Sequence, residues 1–282
     1  MVSYKRVLIL GTDQFANDCA IIIKNNGLMP EIFDTNKEKS PVLEEKCVCN
    51  GLLYKHITWT DLTDLLLSLK EKTLLISAFN LYLVPKEVIN KKNITAINCH
   101  HAILPDRPGR NGATWAIFEQ DKEAGITWHF ITEKADAGNI ICIKKISLDD
   151  KITALRLLKH QYDLALDSFI EIISDLLSEN ITCTPQDPGK KGPFRYSYDI
   201  PNEGKLDLSW NFDKMSAFLR AMDYGILEVL GQPYLALFDN NYKWKRYVLL
   251  PPDGDFGIQK KNDSFIISTQ HGCIRLDKIS IV

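Results

Sequence analysis

The 282-residue sequence lacks several features that would classify a protein early. It has no excess of either charge: 34 Lys and Arg stand against 36 Asp and Glu, a formal net charge of −2. Nucleic-acid binding favours a surplus of cations, so this balance argues against nucleic acid as a partner, short of a local patch hidden in a neutral total. There is no apolar run long enough to cross a bilayer, and the opening MVSYKRVLILG is too short an apolar stretch for a signal peptide. The expectation is a cytoplasmic protein with no membrane partner. The seven cysteines (Cys19, Cys47, Cys49, Cys99, Cys142, Cys183, Cys273) are odd in number, scattered, and contain no CxxC pair. That pattern excludes a disulfide framework and fits reduced thiols. Cys47 and Cys49 have no second pair to complete a tetrahedral set, and no HxxxH spacing occurs, so no metal is expected.

What is present reads as α/β. Arg6–Leu10 is a short apolar run ending at Gly11, as a buried parallel strand does before a tight turn. Asp13 can cap a helix through Phe15, Ala16, Cys19, Ala20 and Ile23, and Glu31–Phe33 is a second strand, which makes a βαβ unit. The turn from Gly11 to Ala16 has one glycine where a dinucleotide fingerprint needs three. Asp34, which stands where an acid could grip a ribose, is therefore not taken as a cofactor ligand. Ser40–Tyr54 shows no period and reads as a connection. Leu62–Leu69 has helical spacing with Thr60 or Asp61 as its cap, and Thr73–Ser77 is the next buried strand. It runs into Ala78–Pro85, whose apolar residues around Asn80 could line a ligand cleft or lie as a lid on the sheet.

Thr95–Asn98 continues the sheet, Ala113–Glu119 is a short helix, and Ile126–Ile131 and Asn139–Ile146 are two more strands. Thr153–Leu177 is a long amphipathic helix that closes the first domain, residues 1–180. Residues 181–204, rich in Pro, Gly and Lys over Thr184–Gly192, read as a linker. In residues 205–282 one helix, Asp213–Met222, precedes short runs at Tyr234–Phe238, Lys243–Leu250, Phe256–Gln259, Phe265–Ser268 and Ile274–Ile281. Short strands at regular spacing predict a small β-barrel or sandwich.

The chemistry gathers in Asn98–Gly138. Asn98 and His100 end a buried strand, and Pro105, Pro108 and Gly109 shape the loop that follows. His129 lies in the next strand and Asp136 in the turn after it. An imidazole moves protons near neutral pH, a carboxylate orients it, and an Asn amide can stabilise an oxygen that turns negative. Ser77 lacks a nucleophile elbow and Cys99, between Asn98 and His100, points to the opposite strand face, so no protein nucleophile is expected. The set fits direct attack by a substrate amine or water on a carbonyl. The bland alternative is that Asn98 and His100 satisfy loop backbone while Asp136 and Gly138 make a turn.

At these residues the chain resembles the formyltransferases that use 10-formyltetrahydrofolate. The match is carried by Asn98-Cys99-His100, Leu104-Pro105, Arg110-Asn111-Gly112, Gly125-Ile126-Thr127, Asp136-Ala137-Gly138 and Ile140-Ile141. It covers about the first two-thirds of the chain and continues more weakly through Lys205–Trp210 and Arg220-Ala221. The resemblance implies an open, mostly parallel, Rossmann-like sheet with a smaller C-terminal β-rich, OB-like domain. It implies Asn98, His100 and Asp136 as catalytic residues: Asn98 and protonated His100 on the oxyanion, Asp136 positioning His100 and passing the amine proton. It implies a cosubstrate cleft of Phe79, Asn80, Leu81 and Leu83 with Thr132, Lys134 and Ala135, and substrate contacts from Arg110, Asn111 and His129.

The acceptor is read from departures. The segment Asp34–Lys46 is short and mixed in charge, unlike the basic insertion of methionyl-tRNA formyltransferases, and Trp128-His129-Phe130 resembles small-molecule members of the family. The implied partner is a small amine, foremost an amino-deoxysugar nucleotide, with an amino acid, a peptide-like precursor or methionyl-tRNA as alternatives. The C-terminal β-domain pulls towards tRNA. A hydrolase of the same cosubstrate, with water as acceptor, is the reading from another class; those proteins usually carry an N-terminal regulatory domain. Exposed β-edges near the C-terminus could pair two copies as a homodimer.

Overall fold

A computed structural model describes residues 3–227 and 229–281. The chain divides into two compact units that are not contiguous in sequence. The first takes the chain up to Gly109, with Gly125–Lys145 and His160–Phe194; the second takes Arg110–Ala124, Ile146–Lys159 and the chain from Arg195 on.

The first unit is built on a seven-stranded sheet. Its strands are β1 (Arg6–Leu10), β2 (Glu31–Asp34), β3 (Leu53–His56), β4 (Thr73–Ser77), β5 (Ile94–His100), β6 (Glu123–Phe130) and β7 (Ile140–Ser147), in the order β3-β2-β1-β4-β5-β6-β7. The pairs from β3 to β5 are parallel, and β5 pairs antiparallel with β6. The order reverses between β1 and β4, and in such sheets ligands bind beyond the carboxyl ends of the strands.

Strand alternation divides the core into two layers. Val7, Ile9, Leu74, Ile76, Ile97 and Cys99 pack on one face, against Phe15, Cys19 and Ile23 of helix α1 (Gln14–Asn25) and Phe169 and Ile173 of the long helix α6 (Ala154–Leu177). Leu8, Leu10, Leu75, Ile94 and Ala96 pack on the other, against Leu62 and Leu66 of helix α3 (Trp59–Ser68). Continuous apolar strands are what a sheet buried on both faces requires. Gly11 allows the close β1–α1 approach: a Cβ there would stand 2.3 Å from that of Ala16. Asp13 caps α1 by accepting from Phe15 N–H at 3.0 Å.

Several expectations change. Ser40–Tyr54 is not a loose connection but helix α2 (Pro41–Cys49), capped by Ser40, followed by the start of β3. Only Leu43 and Cys47 of α2 are buried, so its apolar period spans a single i,i+4 pair and is too faint to read. The cap of α3 is Thr58, not Thr60 or Asp61. A one-turn helix, α4 (Lys86–Ile89), follows Pro85. Asp34 is fully buried and its carboxylate is occupied, accepting from Asn36 N–H, Ser40 N–H and the Tyr54 hydroxyl.

The second unit holds helix α5 (Gly112–Phe118), helix α7 (Phe212–Ala221) capped by Asn211, and two antiparallel sheets. The four-stranded sheet has the order β10-β13-β12-β11, from β10 (Arg246–Leu250), β11 (Gly257–Lys261), β12 (Ser264–Thr269) and β13 (Gly272–Asp277). The three-stranded sheet has β8 (Leu235–Leu237), β9 (Asn240–Lys243) and β14 (Ser280–Ile281). The runs Lys243–Leu250 and Ile274–Ile281 each break into separate strands, the second at Lys278, whose φ is +55°. The turn expected at Asp239–Asn241 falls at Phe238 and Asp239, both at positive φ. Among the described residues no helix is long and apolar enough to cross a membrane.

Candidate active site

The register of β5 against β6 builds the centre. Asn98 lies opposite His129, and His100 opposite Thr127. All four share one face, because Cys99 and Trp128 between them turn into the opposite core layer. Thr127 then fixes the loop beyond β5: its hydroxyl donates to Ala102 O at 2.7 Å and accepts from Leu104 N–H at 3.1 Å. The Leu104–Pro105 peptide is cis.

Asp136 reaches this face from the turn after β6, with φ at +54°. One carboxylate oxygen, Oδ2, accepts from Gly109 N–H at 2.8 Å. The other, Oδ1, lies 3.6 Å from His100 Nδ1 and 3.7 Å from His129 Nε2. Those distances exceed a hydrogen bond. Gly138 lets the turn lie flat on β6, since a Cβ there would stand 1.8 Å from Phe130 O. Gln186 clamps the same turn from outside, donating to Asp136 O at 2.9 Å and Gly138 O at 2.8 Å. Thr184 and Ile140 exchange two backbone hydrogen bonds of 2.8 Å. The segment read as a linker therefore buttresses the site, and Gln186 is a residue that the sequence reading missed.

Hydrogen bonding sets the tautomers. A carbonyl only accepts, so His100 Nε2–H donates to Arg107 O at 2.8 Å and leaves Nδ1 facing Asp136. Likewise His129 Nδ1–H donates to Phe130 O at 2.9 Å. Its Nε2 lone pair then accepts from the Asn98 amide at 3.1 Å. Burial holds the His129 pKa below its ordinary value, against upward pulls from the Phe130 carbonyl and Asp136, with His100 adding a further downward push. Neutral His129 is thus a fixed acceptor that aims the Asn98 amide and leaves its second N–H for another oxygen.

Other expected residues fall into groups. Phe79, at φ +56°, is sandwiched between the Phe15 ring, 4.0 Å between centroids, and the His101 ring, 3.4 Å away. Asn80 is held by Thr35 and Tyr82: its Nδ2 donates to Thr35 Oγ1 at 2.9 Å and its Oδ1 accepts from Tyr82 N–H at 2.8 Å. Leu81 and Leu83 are 56% and 76% exposed. Thr132, Lys134 and Ala135 are also exposed, with Thr132 Oγ1 donating to Lys134 O. His129 is 2% exposed, behind Asn98 rather than on an open surface. Arg110 and Asn111 lie in the second unit, where the Asn111 amide reaches Ser197 O and Asp199 O at 3.5 and 3.4 Å. Among the described residues no group of three His, Cys, Asp or Glu is set to hold a metal ion.

Chemically, the first-unit centre offers an aimed amide donor, an imidazole nitrogen beside a carboxylate, and no protein nucleophile. Cys99 is buried on the opposite face and burial pushes its thiol well above the ordinary range.

The chain is similar to known formyl transferases. Residues 50–173, which contain Asn98, His100, His129 and Asp136, match the formyl transferase family model. Methionyl-tRNA formyltransferase of Chlorobium chlorochromatii is 23% identical over 197 residues, 64% of this chain and 62% of that one. GDP-perosamine N-formyltransferase of Brucella melitensis is 27% identical over 169 residues, 57% of this chain and 62% of that one. Each match thus spans less than two-thirds of the relative. In fold, the chain is similar to an N-formyltransferase of Helicobacter canadensis solved with folinic acid and dTDP-3-aminofucose. The TM-score is 0.75 at 17% identity, covering 98% of this chain and 99% of that one. The family match on residues 50–173, the relatives and the fold all point to formyl transferases.

Proposed function

We propose that this protein is an N-formyltransferase that moves a formyl group from 10-formyltetrahydrofolate to the amine of a nucleotide-linked amino-deoxysugar. The observation that carries the reading is that Asn98 and His100 on one sheet face meet Asp136 from the turn after β6, within the stretch that matches the formyl transferase family model. The cosubstrate fits the apolar edge of Leu81 and Leu83, exposed beyond β4, with the exposed backbone of Thr132, Lys134 and Ala135. Folate supplies the activated formyl group. Phe79 serves it indirectly, since its ring is stacked between Phe15 and His101 and fixes the start of that edge.

Each residue then has a task. The second N–H of Asn98 meets the formyl oxygen as negative charge develops there, and His129 keeps that N–H aimed. His100, protonated at Nδ1, adds positive charge beside the same oxygen. Asp136 holds His100 and takes the proton released by the attacking amine, directly or through one water. A preorganised donor of this kind contributes on the order of 10² to 10³ in rate.

Support for a sugar acceptor comes from a GDP-perosamine N-formyltransferase relative and from a fold match that runs through the C-terminal unit. The methionyl-tRNA relatives keep tRNA as the competing acceptor. The deciding experiment follows tetrahydrofolate release from 10-formyltetrahydrofolate with water, amino-deoxysugar nucleotides, methionyl-tRNA and ornithine. Turnover with the sugar nucleotides alone is expected. Turnover with methionyl-tRNA or ornithine changes the acceptor, turnover with water alone makes the protein a hydrolase, and no folate binding overturns the reading.

A further inference from the structure

The second unit holds an open cavity of about 430 Å³ whose lining residues all belong to that unit and include none of Asn98, His100 and Asp136. One wall is a face of α7, on which Phe212, Ser216 and Arg220 recur every four residues. Another is the loop of residues 148–152, which is fixed by its own hydrogen bonds. Asp149 Oδ1 accepts from Lys151 N–H at 2.9 Å and Ile152 N–H at 2.7 Å, and Leu148 N–H donates to Lys122 O at 2.9 Å. Arg220 lines this cavity although it is only 7% exposed. Its Nε donates to Ser216 Oγ at 3.3 Å and its Nη1 to Ile152 O at 3.1 Å. A guanidinium has five N–H donors, so about three stay unused. Nη2 makes no hydrogen bond among the described residues and is not sealed from solvent, so it opens on the cavity. Nor does Arg220 form an ion pair among the described residues. Burial lowers its pKa in spite of upward pulls from Tyr247, Asp150, Asp149 and Asp213. A buried charge left without a counter-charge is costly, which marks the position as one that an anion would complete.

We propose that this cavity binds a small aliphatic carboxylate, with the carboxylate on the free donors of Arg220 and the carbon chain along Ile152, Phe212 and Leu249. The site is independent of which amine is formylated. A carboxylate accepts two parallel N–H groups from the edge of a guanidinium, and the Nη1–Nη2 edge of Arg220 retains donors for both. Apolar walls with a few placed polar groups are the usual make-up of a small-molecule site, and the volume is in the usual range. Phe212 is a fixed wall, since its ring is seated against Gly272, where a Cβ would come within 2.5 Å of it. The rim selects the charge of the ligand. Asp149, Asp150 and Asp213 are exposed there with Lys122 and Lys151, so acids outnumber bases at the mouth while the buried group is a cation. A phosphate dianion is repelled by such a rim. A monocarboxylate carries one charge to one buried cation, and an ammonium at the far end of its chain gains from the acids outside.

The test is a titration of the full chain, followed by NMR of the arginine Nε–H signals, with hexanoate, 6-aminohexanoate, hexylamine and inorganic phosphate. Hexanoate and 6-aminohexanoate are expected to bind and to shift the Arg220 signal, while hexylamine and phosphate do neither. The rim should favour 6-aminohexanoate over hexanoate by up to about fivefold, the worth of an exposed ion pair. Arg220→Gln should weaken both carboxylates about 10- to 150-fold, as loss of a charge-assisted hydrogen bond does. Arg220 also supports the Ile152 carbonyl, so that variant is read only if it unfolds cooperatively on heating. Asp150→Asn keeps the question open to measurement if it does not, because Asp150 is exposed and makes no hydrogen bond among the described residues. It should leave hexanoate bound at least as well and shrink the preference for 6-aminohexanoate. A wild type that binds neither carboxylate overturns the inference, and Arg220 is then only a brace for the loop of residues 148–152. Phosphate or hexylamine binding with the carboxylates unbound also overturns it. So does carboxylate affinity within twofold of wild type in a folded Arg220→Gln, or carboxylate binding that leaves the Arg220 signal unmoved.

Discussion

Gly138→Ala tests whether the position of Asp136 matters. The added Cβ would stand 1.8 Å from Phe130 O and 2.7 Å from Phe130 C, both backbone atoms of β6. Real Cβ contacts essentially never fall below 3.0 Å, so strand and turn must part by about 1.2 Å, the difference between the two distances. The turn cannot do this freely, because Gln186 bonds both Asp136 O and Gly138 O and Asp136 Oδ2 bonds Gly109 N–H. Moving Asp136 by that amount takes its Oδ1 from 3.6 Å to beyond contact with His100. A misplacement of about 1 Å in a catalytic group costs on the order of 10²-fold in rate. The overpacking itself costs about 1–3 kcal/mol of stability. The assay is tetrahydrofolate release with the accepted amine, beside folinic acid titration and thermal unfolding. The expected result is a fall in kcat of about two orders of magnitude and a lowered Tm. An alanine variant with wild-type kcat and Tm would refute the reasoning, since the turn would then not be held against β6.

Three further outcomes follow from the same geometry. Asp136→Asn should cut kcat by about 10²–10⁴-fold with folinic acid affinity kept, as loss of a proton acceptor does; equal turnover in steady-state assays would remove Asp136 from the mechanism. Gln161 is fully buried and its amide donates to His101 O and Gly125 O at 2.8 Å each, so Gln161→Leu should cost about 2–4 kcal/mol in urea unfolding by removing both buried hydrogen bonds, and an unchanged midpoint would contradict that. His129 is held neutral by burial, so its pKa is depressed in the folded state. The unfolded chain then binds the extra proton first, and the contribution of His129 to stability is present above the ordinary value of about 6.5 and lost as pH falls through the lower folded value. Urea unfolding across that window should show the slope in the wild type and a smaller one in His129→Phe; equal slopes would mean that His129 is not the titrating group.

The sheet was legible because its strands are buried on both faces. Arg6–Leu10, Thr73–Ser77 and Thr95–Asn98 are short apolar runs that only a covered parallel sheet accommodates, and each lies in the expected place. Elements with little buried surface were not legible. Helix α2 buries two residues, α4 is a single turn, and β3 alternates exposed and half-buried positions. The breaks at Trp244–Lys245 and Lys278 interrupt apolar runs without changing composition, so two strands read as one.

The site divides along the same physical line. Asn98 and His100 stood out because polar side chains at the end of an apolar strand are costly without a purpose. The partner relation of Asn98 and His129 depends on the β5–β6 register, and a one-residue slip would turn His129 into the opposite core layer beside Phe169 and Ile173. No composition or spacing fixes that register; Thr127, bonded to Ala102 and Leu104, helps to lock it. Gln186 was invisible for a different reason: it acts from a Pro- and Gly-rich stretch whose return to the sheet is set by the Thr184–Ile140 pairing. The consequence is a centre whose donor, Asn98, and carboxylate, Asp136, are each aimed by a residue that need not touch the substrate. Substitutions at His129 and Gln186 should therefore lower kcat and leave the affinity for folate intact, the reverse of what substitutions at Leu81 and Leu83 should do. That opposition separates positioning residues from binding residues in a single set of steady-state and titration measurements.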